Sequence, residues 1–181
     1  MKSLFLSSLA LCLFLVSCKD EKKVERVEAP AVEISKSFKV TVNAIVEQND
    51  IFQIFYNEDG SDAFVPEQSV AINIAGKPEA QDLVFELPEE AMPASLRFDI
   101  GANVDLKKVS FKSLNIQYMD KSITATANTF FNYFYPNPQV RVDKATGIAT
   151  MKAPEGETYD PILGTTPELK TAIGNLYNAK K

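Results

Sequence analysis

From residue 37 onward apolar side chains fall at every second position. Phe38, Val40, Val42, Ala44 and Val46 alternate with Lys39, Thr41, Asn43, Ile45 and Glu47. A period of two is the signature of a half-buried β-strand. Polar turn residues Gln48–Asp50 end this segment, and Ile51–Tyr56 follows as an apolar strand closed by Asn57–Ser61. Ser69–Ala75 alternates again, and Gly76-Lys77-Pro78 breaks it. Leu83–Leu87 and Leu96–Ile100 predict two more strands, the first ended by Pro88. Val109, Phe111, Leu114 and Ile116 mark a long strand whose alternation slips by one residue near Ser113, which predicts a bulge. Ile123–Ala127, Val140–Val142 and Ile148–Met151 complete the series, the last two joined by a hairpin loop at Asp143–Gly147.

Roughly eight to ten short strands with evenly spaced turns predict an all-β fold: a single antiparallel β-sandwich, jelly-roll-like. Only the C-terminal end has helical spacing. Thr166 is placed to cap a helix, Pro167 suits its first position, and Leu169, Ile173, Leu176 and Tyr177 share one face, with Gly174 as a weak point.

The N-terminus follows a different pattern. After Met1-Lys2-Ser3 comes an uncharged apolar run, Leu4–Val16, too short for a bilayer span of ~20 residues. A basic start, an apolar stretch and a small residue at position 17 describe a secretory signal peptide over 1–17. Residues 18–34 are charged, contain Pro30 and lack aromatics, as befits a tether. The folded domain is expected over 35–181, within the ~100–200 residues of one domain.

Composition removes whole classes of chemistry. The chain has no histidine, which excludes a His-based triad and an imidazole general base. Its cysteines are Cys12 and Cys18; cleavage after residue 17 would remove the first and leave no pair for a disulfide. Loss of Lys2 with the signal takes the net charge from −5 to −6. That balance, without a basic stripe, argues against nucleic acid as a partner. An enzyme built from this chain would need carboxylates. Asp50, Glu58, Asp59, Glu67, Glu86 and Asp99 are available, but no spacing singles out a glycosidase pair.

Three segments are candidate binding chemistry. In Ser95-Leu96-Arg97-Phe98-Asp99, Arg97 and Asp99 share a strand face and can form an exposed ion pair; they would also offer hydrogen bonds to sugar hydroxyls. In Phe130–Tyr135, read as a strand, Phe131, Tyr133 and Tyr135 face one way and Phe130 and Phe134 the other. The segment is either buried between layers or a platform on which Tyr133 and Tyr135 stack against a ligand. In the turn Asn57–Asp62, Glu58, Asp59 and Asp62 could hold calcium, although the spacing does not match an EF-hand and a solvated turn accounts for the same residues.

Three resemblances bear on address and fold. Leu15-Val16-Ser17-Cys18 resembles the lipobox of bacterial lipoproteins. That implies lipidation of Cys18, cleavage before it, and a lipid bilayer as partner. Lys19-Asp20-Glu21-Lys22-Lys23 is similar to the surface-export signal of Bacteroidota lipoproteins, which implies an outer-membrane anchor facing the cell surface, or the periplasm where export does not act. Leu87-Pro88 with Leu96-Arg97-Phe98-Asp99-Ile100-Gly101 resembles the LP…LRFDPG pattern of β-sandwich modules in bacterial carbohydrate-active and cell-surface proteins, with Ile100 where the pattern has proline. Phe52–Tyr56 resembles another strand of the same modules. The expectation is a non-catalytic, membrane-anchored binding module for glycan. The alternatives are an accessory lipoprotein docking onto an envelope protein and a carboxylate glycosidase. No cofactor is expected beyond possible calcium.

Overall fold

A computed structural model describes residues 36–178. The expected signal peptide, Cys18 and the tether to residue 34 lie outside them. Eleven strands form two antiparallel sheets packed face to face, the expected β-sandwich. The strands are β1 (Lys39–Val46), β2 (Asp50–Asn57), β3 (Ser69–Ile74), β4 (Lys77–Glu86), β5 (Ser95–Asp99), β6 (Lys108–Tyr118), β7 (Lys121–Thr126), β8 (Phe134–Pro136), β9 (Val140–Asp143), β10 (Ile148–Met151) and β11 (Ile162–Thr165). A helical turn α1 (Phe130–Tyr133) precedes β8, and helix α2 (Pro167–Tyr177) closes the described chain. One sheet has the order β4-β1-β6-β10-β9, with β7 also paired to β6; the other runs β3-β2-β5-β11-β8. The chain passes back and forth between the sheets, which makes the arrangement jelly-roll-like. Among the described residues no helix is long and apolar enough to cross a membrane.

The period-two pattern of β1 sends Val40, Val42, Ala44 and Val46 into the core, where all are fully buried. Phe98 of β5 is the hub between the layers. Its ring lies 5.8 Å from Phe52, 5.6 Å from Phe85, 6.1 Å from Phe111 and 6.2 Å from Phe134. The predicted bulge is present: Asn43 pairs with Ser113 and Ala44 with Phe111, so Lys112 is the extra residue.

Four details differ from the sequence pattern. β4 begins at Lys77 and runs through Pro78, because β4 is an edge strand and its first residues need no second partner. β11 was not expected, yet it is central to its sheet, between β5 and β8. Phe130–Tyr135 is not one strand: it is a helical turn followed by the start of β8. Phe130, Phe131 and Phe134 are therefore all buried, and Phe130 stacks on Phe111 at 4.2 Å. Tyr133 and Tyr135 also do not share a face. α2 forms as expected; Thr166 Oγ1 accepts from the Leu169 amide at 3.3 Å, and Leu169, Ile173 and Leu176 are buried.

Candidate functional site

The outer face of the β3-β2-β5-β11-β8 sheet gathers three of the four expected ligand-binding residues. Register sets the row. Ser69 pairs with Phe55, Phe55 with Arg97, Arg97 with Gly164, and Gly164 with Tyr135. Paired residues point to the same side of a sheet, so these positions form one line across all five strands. The neighbouring row is Ala71, Gln53, Asp99 and Ile162.

Arg97 and Asp99 form the predicted pair in bidentate geometry. Nε donates to Asp99 Oδ1 and Nη2 to Oδ2, each at 2.9 Å. The side chains are 28% and 20% exposed, so the pair is less solvated than an ordinary surface ion pair. The guanidinium also lies over the Phe55 ring at 4.0 Å, with Phe64 at 5.6 Å. Cation–π contact and the carboxylate hold Arg97 in one orientation. Desolvation raises the Asp99 carboxyl above its ordinary range; the hydrogen bond and charge of Arg97 oppose this, and the charge of Asp160 adds to it.

Tyr135 lies across Gly164. A Cβ on Gly164 would sit 2.4 Å from Tyr135 Cζ and 2.6 Å from its hydroxyl oxygen, so the ring fills the space of the missing side chain. Tyr135 nonetheless stays 47% exposed. Aromatic cover of a strand glycine stabilises the sheet, and the same geometry leaves a ring in solvent beside a fixed guanidinium. Two strand spacings separate Tyr135 from Arg97, ~10 Å. Tyr133 lies elsewhere, in a shallow groove beside α2 with Ser122, Thr124, Ala172 and Asn175.

In the loop proposed for calcium, one oxygen of each carboxylate is engaged by the protein. Glu58 Oε1 accepts from the Met92 amide at 2.9 Å, and Asp59 Oδ1 from the Ser61 amide at 2.9 Å. Asp62 pairs with Lys170 at 3.1 Å, and the same ammonium donates to the Gly60 carbonyl. The Lys170 ammonium from α2 thus meets two oxygens of this loop. Among the described residues no group of three or more His, Cys, Asp or Glu side chains is placed to hold a metal. Asn57 organises the loop, donating to the Ser61 and Ala63 carbonyls and accepting from the Gly60 amide.

The remaining carboxylates are dispersed. Asp50 is buried at the start of β2, where its Oδ1 accepts from the amides of Ile51, Ala102 and Asn103. Glu86 accepts from Ser37 at the opposite end of the sandwich, and Glu67 is exposed in the turn before β3. Sequence reasoning missed Phe55, Gln53 and Gly164 as members of the face. Only cross-strand register brings them beside Arg97, and a single strand carries no register.

Compared with known proteins, the chain matches no family model, no curated protein and no solved structure.

Proposed function

We propose that this chain is a lipid-anchored, non-catalytic envelope module that binds glycan on the outer face of its five-stranded sheet. The observation that carries the reading is Tyr135, laid over Gly164 and half in solvent, on the same row as the braced Arg97. A sugar ring stacks its apolar face on an aromatic ring. Its hydroxyls then meet the donors and acceptors of Arg97, Asp99 and Gln53. Arg97 Nε and Nη2 serve Asp99, and Nη1 is left for a ligand. The lipobox-like Leu15–Cys18 and the charged stretch after it support an outer-membrane anchor, with the sheet face presented outward.

The test is a glycan array probed with the mature chain, with and without calcium. Tyr135→Ala should weaken a positive signal by about tenfold or more, corresponding to ~1.4 kcal/mol. Gly164→Ala should weaken it too, because the new methyl displaces the ring without disturbing the core. A blank array, or binding indifferent to both changes, would overturn the glycan reading and favour an accessory lipoprotein that docks onto another envelope protein.

A further inference from the structure

The described chain enters the domain at one end of the sandwich, and that end carries a cleft lined by aromatic, thioether and charged side chains. Phe38, at the entry to β1, lies 6.5 Å from the ring of Tyr177, and Tyr177 lies 5.1 Å from Tyr118. Around these rings, Met92, Met119, Lys121 and Leu176 complete a cleft of about 550 Å³. The two methionines stand in solvent, Met92 at 47% and Met119 at 38% exposure.

The backbone under Met119 is unusual. Tyr118 pairs with Lys121, so Met119 and Asp120 form the two-residue loop of the β6–β7 hairpin. Met119 has a φ of 52°, and among the described residues it is the only non-glycine at positive φ. Glycine or asparagine is the residue such a turn favours. A long apolar side chain there is strained and exposed together, and strain of this kind tends to persist at functional positions.

Position then chooses the occupant. Residues 19–35 separate Cys18 from the first described residue, and a segment of that length reaches at most ~60 Å. With Cys18 in the bilayer, the methionine end is the domain's attachment point. The opposite end carries Val104, just before the start of β6 that pairs with the last residue of β1. The one cation lining the cleft is already spent: Lys121 Nζ donates to the carbonyls of Leu176 and Asn178 at the end of α2. Asp120 lines the cleft beside Met119, and Lys36 and Lys39 stand where the chain enters the same end. Flexible thioether side chains insert well into an interfacial apolar zone.

We propose that the Met92–Met119 end is a membrane seat, whose methionines enter the interfacial layer of the bilayer that holds Cys18. The seat rests on the lipid-anchor reading. It fixes the domain with its tether end down and its sheet faces standing away from the membrane plane.

The chain has no tryptophan, so a single introduced one is a clean reporter. Met119→Trp, Met92→Trp and, as the control at the far end, Val104→Trp would be made in the lipidated mature chain. Each would be reconstituted in phosphatidylethanolamine–phosphatidylcholine vesicles containing brominated lipid. Flotation of the vesicles reads the anchor separately from the seat. The seat requires that floated Met119→Trp and Met92→Trp emit to the blue and lose most of their emission to bromine. Val104→Trp should keep its emission, and high salt should change neither result. Met92→Trp, on ordinary backbone, decides the matter where the Met119 variant misfolds. Floated protein with unquenched tryptophan at both positions would overturn the seat alone and point to cover by the tether or a second copy. Protein that stays out of the floated vesicles would overturn both the anchor and the seat.

Discussion

Asp99 faces opposing forces that decide how it titrates. Burial beside the sheet disfavours its charged form, and the bidentate bond from Arg97 favours it; burial is the larger effect. Its titration, followed by the carboxyl carbon signal, should have a midpoint above the ordinary 3.8. In Arg97→Met the midpoint should climb further, because the only compensating charge is gone. A folded-state pKa above the unfolded value means the folded protein holds the proton more tightly. The contribution of Asp99 to stability is therefore complete below the unfolded pKa and is lost as pH rises through the raised folded value. Relative to Asp99→Asn, the native protein should lose stability over that window, as urea unfolding at a series of pH values would read. Tyr159 shows the same logic in a phenol: burial, helped by the charge of Asp50, pushes it up to about 12 while its hydroxyl donates to the Leu106 carbonyl. The Arg97–Asp99 pairing was legible because two residues apart on a strand means one face. The Phe55 ring beneath the guanidinium was not, since it comes from another strand.

α2 is the element whose local signals and tertiary role agree. Thr166 accepts the Leu169 amide, Pro167 occupies the first turn, and the buried face is the one spaced for a helix. Thr166→Ala should cost ~1 kcal/mol, the usual weight of an N-cap, measured as a lower urea midpoint with unchanged slope. Thr166 Oγ1 also donates to the Asn132 carbonyl, so the same change loosens α1 against α2. β11 is the contrary case. Ile162-Leu163-Gly164-Thr165 is short, holds a glycine and shows no long alternation, so nothing local marks it. Its identity comes from two neighbours: β5 supplies partners on one edge and β8 on the other. Phe130–Tyr135 failed for a related reason. Six residues rich in aromatics fit a strand or a helical turn, and packing of Phe130 on Phe111 selects the turn.

At the scale of the molecule, the two sheets cohere through aromatic contacts centred on Phe98. Phe98→Ala removes a side chain that meets four other rings, and should destabilise the domain by about 3–5 kcal/mol, read by thermal or urea unfolding. That loss is a large part of the ~5–15 kcal/mol that holds a typical domain together. The same sandwich separates two surfaces. The row from Ser69 to Tyr135 lies on the outer face of one sheet, and the methionine cleft lies at the end where β1 begins.

The sequence by itself determined the class of fold, most of its strands, the bulge in β6 and the capped helix. Each is written in local periodicity or in the chemistry of a few adjacent residues. It also determined which chemistry is absent, since a chain without histidine has no imidazole to use. Only the tertiary structure decided which side chains meet. Register placed Phe55, Arg97, Gly164 and Tyr135 in one row, packing sent Tyr133 to another surface, and Lys170 from α2 reached Gly60 and Asp62 of the loop after β2. The physical reason is range: periodicity acts over a few residues, whereas a binding face on a sheet is assembled from strands far apart in the chain.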